Sequence, residues 1–126
     1  MPLLPDLKNF DRKPFMAGEI IFQCGEIGNR AYLVESGLVE ISRGHGEYRR
    51  VLGRVGPGGI FGELALITGH GRVADAKALE ETVCLVVPGD VLREKVEKAD
   101  PFIKALIRIM ARNLRSMAEA LNGPEV

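Results

Sequence analysis

The sequence has little of several residue types that mark particular classes of protein. Among its 126 residues there is no tryptophan, and there are only two cysteines and two histidines. Cys24 and Cys84 are far apart and stand in no metal-ligand spacing, a pattern typical of packing thiols in a reducing cytoplasm. His45 and His70 each lie in a glycine-flanked turn. They are too few to assemble a histidine-rich metal centre, so we predict no metal and no cofactor.

The chain also lacks an excess of charge of either sign. Lys plus Arg and Asp plus Glu number 17 each, so the formal net charge is zero. A general binder of nucleic acid or of acidic membranes usually carries a basic excess, and we therefore expect no nucleic-acid partner. The start has no basic region followed by an apolar run, and no stretch reaches the length of a membrane span. We predict a cytoplasmic protein without a membrane span.

Catalytic patterns are missing as well. Ser36, Ser42 and Ser116 stand in no nucleophile-elbow motif, and neither cysteine has an obvious histidine partner. We therefore predict no catalytic residue and a protein that is not an enzyme.

What the chain has in abundance is glycine, with 15 residues. Turn signals recur every seven to twelve residues between short apolar runs, which is typical of an all-β sandwich or barrel. Val39 and Ile41 alternate with polar residues, as expected for a half-buried strand. The apolar run from 82 to 87 ends at a Pro-Gly pair and predicts a central buried strand. Three alternating alanines leave room on one face for a ligand: Ala74, Ala76 and Ala78.

The pattern changes to helical after residue 88. Residues 90–98 form one predicted helix, and Asp100 followed by Pro101 is typical of the start of a second. Large apolar residues in the second helix recur every three or four positions, which predicts one continuous apolar stripe. That stripe comprises Ile103, Leu106, Met110, Leu114, Met117 and Leu121. Strands first and helices last predict an α+β domain, mainly β.

The stretch that organises the chain is the glycine-rich segment 58–67 and the Arg72-Val73-Ala74 string that follows it. A glycine turn leads into a helix-forming run, whose first backbone N–H groups and partial positive charge suit an anion. Arg72 adds a full charge and donors suited to phosphate. Glu63 cannot bind an anion, and its carboxylate is better explained as an acceptor for sugar hydroxyls. Phosphate and ribose together indicate a nucleotide.

Phe61-Gly62-Glu63-Leu64-Ala65-Leu66, followed after five residues by Arg72-Val73-Ala74, resembles the phosphate-binding cassette of the cyclic nucleotide-binding domain. Residues 14–22 and 25–41 resemble the early strands and turns of that family, so the likeness covers roughly residues 7–121. It implies an eight-stranded antiparallel β-roll of jelly-roll type, at about residues 12–88, with a short cassette helix. A C-terminal helical lid is implied at about 89–122, within a single domain that spans residues 1–126.

The resemblance also implies a role for each matching residue. Arg72 pairs with the exocyclic phosphate oxygens, and Glu63 accepts from the ribose 2′-hydroxyl. Gly62 lets the backbone approach closely, and the N–H groups of Ala65 and Val73 complete the phosphate cage. The implied ligand-binding residues are Phe61, Gly62, Glu63, Leu64, Ala65, Arg72, Val73 and Ala74, with Arg108 as a candidate for contacting adenine.

Two points of sequence bear on the ligand. Many family members have Thr-Pro before the arginine and a threonine after Arg-x-Ala, whereas this chain has His70-Gly71 and Asp75. Strand alternation places Asp75 on the face opposite Arg72, so we expect its carboxylate to point away. Val73 cannot donate a side-chain hydrogen bond to guanine. We therefore expect cyclic AMP as the ligand, with cyclic GMP binding more weakly.

The last helix has alternative interpretations. Its apolar stripe packs on the roll, or the helix acts as a mobile lid over the base, or the stripe forms a seam for a homodimer or an effector domain. A related alternative for the whole chain is a member of the family that binds no nucleotide and acts as an interaction module. Arg108, Arg112 and Arg115 share one face of this helix, and a solvated face is their ordinary explanation.

Overall fold

The strands come first and the helices last in the computed structural model, which describes residues 9–120. Eight strands precede the two longer helices, and a six-residue helix lies between the sixth and seventh strands. The strands are β1 (Arg12–Phe15), β2 (Ile20–Phe22), β3 (Arg30–Ser36), β4 (Val39–Arg43), β5 (Arg50–Val55), β6 (Ile60–Phe61), β7 (Asp75–Ala78) and β8 (Thr82–Pro88). The helices are α1 (Glu63–Thr68), α2 (Gly89–Glu97) and α3 (Pro101–Ala120).

The strands form two four-stranded sheets, with orders β1-β8-β3-β6 and β2-β7-β4-β5. Every strand pair in them is antiparallel. The run predicted as a central buried strand is β8, which lies between β1 and β3. The predicted fold class, an antiparallel β-roll with a short cassette helix and C-terminal helices, is confirmed. The boundaries that we gave for a single domain and its lid stay a prediction.

An aromatic cluster fills the space between the two sheets. Tyr32 on β3 stacks against Phe61 on β6, with ring centroids 5.3 Å apart. Phe15 meets Tyr32 edge-on at 6.0 Å, and Phe22 reaches Phe61 from the other sheet at 6.0 Å. Such pairs add to the burial energy of the rings. Small residues complete the core, because Ala76 and Ala78 on β7 are fully buried.

Strand β4 is covered on both faces, so the expectation of a half-buried strand was wrong. Glu40 and Ser42, the residues taken as solvent-facing, are 9% and 5% exposed. The carboxylate of Glu40 accepts a hydrogen bond from Arg49, which lies just before the paired strand β5. A buried carboxylate requires such a partner. The alternation was correct for Val39, which is fully buried in the core.

The two C-terminal helices begin where the sequence indicates. Pro88 precedes α2, and Asp100 precedes α3 with its Oδ1 accepting a hydrogen bond from the Phe102 backbone N–H at 2.9 Å. Pro101 occupies the first helical position, where its missing N–H costs nothing. Among residues 9–120, no helix is long and apolar enough to cross a membrane.

Helix α3 packs against α1 and the roll through one face, and its stripe of large apolar residues lies on a different face. The less exposed positions of α3 recur every three or four residues and are Lys104, Ile107, Ala111, Arg115 and Ala118. Ala111 is the buried residue of this face, at 4% exposure. The predicted packing of the apolar stripe on the roll is therefore wrong. Its described members are 41–63% exposed: Ile103, Leu106, Met110, Leu114 and Met117. Leu121 lies outside the described residues.

The two cysteines are in opposite environments. Cys84 on β8 is fully buried, and burial raises the pKa of its thiol to about 11. It packs as a small apolar residue, as predicted. Cys24 is exposed, and its Sγ accepts a hydrogen bond from Arg43 at 3.4 Å. The expectation that Cys24 would also be a packing residue is wrong.

Candidate ligand-binding site

A cavity of about 160 Å³ lies where β6 and α1 meet the segment before β7. Its lining includes eight of the nine residues proposed from the sequence: Phe61, Gly62, Glu63, Leu64, Ala65, Arg72, Val73 and Ala74. Four lining residues were not proposed, and they come from strands of both sheets: Phe22, Ile41, Val55 and Ile60. The cavity therefore has a polar end, formed by Glu63 and Arg72, and an apolar remainder.

Gly62 is required at the start of α1 for two independent reasons. It precedes the helix with a φ of +84°, in the left-handed region that favours glycine. A Cβ at this position would lie 2.9 Å from Arg72 Nη1 and 3.2 Å from the Phe22 ring. The turn thus brings the backbone against the guanidinium, and a side chain at position 62 would displace that group.

Arg72 is the buried cation of the site, with only 6% of its surface exposed. Its Nη1 donates to the Gly62 carbonyl at 2.6 Å, and its Nη2 donates to the Arg30 carbonyl at 2.8 Å. The guanidinium carbon lies 4.1 Å from the centroid of the Phe22 ring, a cation–π contact. The backbone of Arg72 is fixed as well, because its N–H donates to the Glu26 carbonyl at 2.7 Å.

The positive charge of Arg72 is only weakly compensated. No carboxylate of residues 9–120 forms an ion pair with it, and its hydrogen-bond acceptors are neutral carbonyls. Burial lowers the pKa of the guanidinium, an effect that Tyr32, Glu26 and Glu63 oppose. An arginine stays protonated despite such a shift. A buried charge without a counter-ion is costly, so this site favours an anionic ligand.

Glu63 stands in the first turn of α1, beside this cation. Burial raises the pKa of its carboxyl above the ordinary value of 4.5, while its own backbone N–H and the charge of Arg72 act in the opposite direction. No ion pair joins Glu63 to another described residue. A desolvated carboxylate without a side-chain partner is suited to accept hydrogen bonds from a ligand.

Asp75 does not act on the cation. Its Oδ1 accepts a hydrogen bond from the Cys24 backbone N–H at 2.7 Å, which fixes the carboxylate against the preceding turn. The groups that act on Arg72 are Tyr32 and the two glutamates named above. The expected orientation of Asp75, away from Arg72, agrees with this contact.

Sequence reasoning missed Gly28, which packs against the guanidinium. A Cβ at position 28 would overlap the Cζ and Nε atoms of Arg72. Nothing in the local sequence of a glycine-rich turn predicts contact between Gly28 and an arginine 44 positions later. The only sequence indication was its place inside the segment 25–41 that resembles the family.

Gly28→Ala should therefore displace Arg72 while leaving the core intact. We expect ligand affinity to fall at least about fivefold, which corresponds to roughly 1 kcal/mol. The matched control is Gly53→Ala on β5, where a Cβ would meet nothing within 4 Å. Calorimetric titration of both variants with cyclic AMP, the ligand expected from the sequence, measures the effect. Equal affinities for the two variants would contradict the packing of Arg72 on Gly28.

Arg108 does not line the cavity, so the proposed contact with the ligand is absent from this arrangement. Its Nη2 donates to the Glu97 carboxylate, which joins α3 to the end of α2. Lys104 pairs with the same carboxylate at 3.4 Å. The helical spacing of Arg108 was read correctly, but the face of α3 that carries it lies over α2 and the end of α1.

A larger cleft of about 570 Å³ lies elsewhere, between β1, β8 and the start of α2. Its charged lining is mixed, because it contains the acidic residues Asp11 and Asp90 as well as four basic residues: Arg12, Lys13, Arg30 and Arg93. Arg12 is already paired with Glu35 at 2.9 Å. The smaller cavity is the better candidate for the ligand-binding site, because it contains the buried guanidinium of Arg72, which has no ion-pair partner among the described residues.

The structure is thus an antiparallel roll in which a glycine turn, a short helix and a buried arginine enclose a small cavity, an arrangement suited to a small anionic ligand. The sequence model of the cyclic nucleotide-binding domain matches residues 12–99. The chain belongs to the cyclic nucleotide-binding domain family.

Similarity to individual proteins agrees with this family. The chain is 34% identical over 110 residues to the Cyclic AMP receptor protein of Thermus thermophilus, covering 86% of this chain and 51% of that protein. It is 32% identical to the CRP-like cAMP-activated global transcriptional regulator of Mycobacterium tuberculosis, covering 80% and 46%. It resembles the cAMP-bound structure of the EAL enzyme Bd1971 with a TM-score of 0.80 and 33% identity, covering 88% and 30%.

The chain spans about half the length of the two curated relatives named above. One of them is named as a transcriptional regulator, so our expectation of no nucleic-acid partner gains no support from the comparisons. Similarity over about half of each relative does not assign the partners of the full-length relatives to this chain.

Proposed function

We propose that this domain binds 3′,5′-cyclic AMP in the cavity beside α1 and acts as a non-catalytic sensor in the cytoplasm. The observation that carries the proposal is Arg72, a buried guanidinium without a described counter-ion at the polar end of a cavity. Several relatives are named for cyclic AMP, and this supports the choice of ligand.

In the proposed complex, the cyclic phosphodiester neutralises Arg72. The two carbonyl contacts hold the guanidinium in place and leave further N–H donors for phosphate oxygens. Glu63 accepts from the ribose 2′-hydroxyl, and the N–H groups of Ala65 and Val73 complete the phosphate contacts. The base lies toward the apolar part of the cavity, lined by Ile41, Val55 and Ile60.

Val73 sets a preference for adenine over guanine in this proposal. Its side chain lines the cavity and cannot donate a hydrogen bond. Val73→Thr should therefore shift the ratio of affinities toward cyclic GMP by about twofold or more, since a neutral hydrogen bond contributes roughly 0.5–1.5 kcal/mol. Competition between the two nucleotides on both proteins measures the ratio. An unchanged ratio would argue against a base contact at position 73.

The raised pKa of Glu63 predicts that binding weakens in acid. The 2′-hydroxyl donates to the carboxylate form, whereas a protonated carboxyl accepts less well and must lose its proton to bind. Affinity should therefore fall as the pH drops from neutral through the raised pKa of Glu63. Glu63→Gln should bind more weakly at neutral pH and lack this decline. Titrations between pH 7.5 and 4.5 test it, and parallel pH profiles for the two proteins would contradict the role.

We further propose that α3 is the lid that responds to the nucleotide. Arg115 on α3 donates to the carbonyl of Gly71, the residue immediately before Arg72. This contact supports coupling between the lid and the phosphate site, because a shift of Arg72 toward a ligand would disturb it. The nucleotide can shift the equilibrium between two positions of the lid only if it binds one of them more tightly than the other.

Distance measurements test the lid. The exposed thiol of Cys24 accepts a spin label, whereas Cys84 is buried with a raised pKa and stays unreactive. A second label at Ser116→Cys on the exposed part of α3 completes the pair. We expect cyclic AMP to change the interspin distance distribution, and Arg72→Ala to remove the change. An unchanged distribution at saturating nucleotide would contradict lid movement.

The exposed apolar stripe of α3 favours an additional role in association, with a second copy of the chain or with an effector domain. Leu106, Met110 and Leu114 are 41%, 55% and 50% exposed and follow one another along the helix. Contiguous apolar surface of this kind marks interaction sites. Light scattering with and without cyclic AMP tests whether the chain forms a dimer, and Met110→Lys should lower the dimer fraction.

The sensor proposal is tested by titrating nucleotide-free protein with cyclic AMP and with linear 5′-AMP. One site per chain is expected for cyclic AMP. Binding of 5′-AMP should be weaker, because Arg72 supplies a single buried charge for a phosphodiester rather than for a dianion. No binding of cyclic AMP by folded protein would contradict the proposal.

A further inference from the structure

A second group of arginines lies outside the cassette cavity, over the C-terminal end of α1. Arg108, Arg112 and Arg115 follow one another on one face of α3 at spacings of four and three residues. They line a cleft of about 350 Å³ that we call the arginine cleft. The lining comprises Ile67, Thr68, His70, Arg108, Arg112 and Arg115. None of these residues lines the cassette cavity.

Positive charge is in excess in the arginine cleft. None of its described lining residues carries a carboxylate. Arg108 shares the carboxylate of Glu97 with Lys104, and Arg115 lies 3.8 Å from Glu119. Arg112 has neither a hydrogen bond nor an ion pair within the part of the chain that the structure describes. Two carboxylates, those of Glu97 and Glu119, therefore lie among four cationic side chains: Lys104, Arg108, Arg112 and Arg115. The remaining positive charges repel one another, and an anion bound between them would reduce that repulsion.

The arginine cleft also contains an unsatisfied donor. The Nε atom of Arg115 is buried and has no hydrogen-bond partner among the described residues, although Nη2 of the same side chain donates to the Gly71 carbonyl. A buried N–H group without an acceptor costs free energy. The His70 ring does not meet this need: its Nδ1 lies 3.0 Å from the Thr68 carbonyl, and neither ring nitrogen accepts a hydrogen bond from Arg115 Nε. The Nε atom has almost no accessible surface, so an external acceptor reaches it only when the Arg115 side chain moves toward the cleft.

We propose that the arginine cleft binds a multiply charged phosphate ligand, separately from the nucleotide in the cassette cavity. Guanidinium groups bind phosphate through paired N–H donors, and three of them can surround one such group. The cassette cavity has a single buried arginine and an apolar remainder, which suits a monoanionic phosphodiester with a base. The arginine cleft has three arginines and one aliphatic lining residue, Ile67, and its positive charges suit a small diphosphate or a phosphate monoester.

The test is a calorimetric titration of nucleotide-free protein with inorganic pyrophosphate. Arg112→Gln should weaken binding at least about tenfold, because it removes the cation that has no described partner. The control Arg54→Gln lowers the net charge equally at an exposed position on β5, 60% exposed, and should leave binding unchanged. Thermal unfolding should show that pyrophosphate raises the Tm of the parent and of the Arg54 variant, but not that of the Arg112 variant.

Arg72→Ala separates this proposal from the nucleotide site. Pyrophosphate should bind the Arg72 variant as tightly as the parent, and the Arg112 variant should still bind cyclic AMP. If Arg72→Ala abolishes pyrophosphate binding and Arg112→Gln does not, the anion occupies the cassette cavity and the proposal is overturned. Equal losses in the Arg112 and Arg54 variants would likewise overturn it, since the attraction would then be nonspecific.

Discussion

Replacing Arg72 with alanine is expected to weaken cyclic AMP binding at least about tenfold. A hydrogen bond to a charged group contributes about 1.5–3 kcal/mol, and the buried position of this guanidinium limits screening by solvent. The alanine variant would also leave the carbonyls of Gly62 and Arg30 without their donor, so the turn before α1 would lose its anchor. Calorimetric titration of nucleotide-free protein measures the loss.

Two controls separate the lost contact from a damaged fold. Arg54→Ala removes an equal charge from an exposed site and should retain parental affinity. Arg72→Lys keeps the charge but loses the paired donors, so we expect affinity between those of the parent and the alanine variant. Thermal unfolding of each variant checks that the roll is intact. Parental affinity in folded Arg72→Ala would show that the nucleotide does not use this residue.

Phe61→Ala is expected to lower the free energy of unfolding by about 3–5 kcal/mol. Phe61 is 4% exposed and stacks on Tyr32, while Phe22 contacts it from the opposite sheet. Its removal leaves a cavity where both sheets meet the start of α1. The small neighbours on β7 cannot fill it, because an alanine side chain has no rotamers with which to extend.

Denaturant unfolding of the parent and the variant measures this difference. Phe102→Ala is the matched control, since Phe102 at the start of α3 is 72% exposed and its truncation should cost less than about 0.5 kcal/mol. A loss below about 1 kcal/mol for Phe61→Ala would contradict its place in the core. In that case its position in the cassette would reflect ligand contact alone.

The cassette could be predicted from sequence because its chemistry is local. Gly62 has a positive φ and Gly69 ends α1 in the same region, so two glycines bound a helix of six residues. The position of Arg72, ten residues after Gly62, then places its side chain on the turn that precedes the helix. Glycine turns and short apolar runs likewise sufficed to predict an all-β sandwich or barrel, since period-two patterns and turn residues are properties of neighbouring positions, whereas the antiparallel roll was implied by the family resemblance.

The orientation of α3 could not be predicted because both of its faces are partly apolar. Leu106 and Met110 form the more conspicuous stripe, yet the helix turns Ile107 and Ala111 toward α1. A small residue such as Ala111 permits close approach, which the size of side chains in a stripe does not reveal. Arg108, the candidate for contacting adenine, lies on a face of α3 where its guanidinium pairs with Glu97.

The remaining part of the cavity depends on contacts between sheets. Phe22 and Ile41 come from β2 and β4, and Val55 from β5, so their meeting at β6 is set by strand order rather than by any motif. Gly28 is a similar case, since the need for glycine at this position follows from its contact with the Arg72 guanidinium in the folded chain. Sequence separation hides such contacts because each residue in isolation looks like an ordinary strand or turn residue.

The most direct measurement is a crystal structure of the domain with cyclic AMP. We expect the nucleotide in the cassette cavity, with phosphate oxygens within hydrogen-bond distance of the Arg72 guanidinium and with the ribose 2′-hydroxyl donating to the Glu63 carboxylate. Cyclic AMP bound in the arginine cleft, or seated in the cassette cavity with its phosphate away from Arg72, would contradict the account.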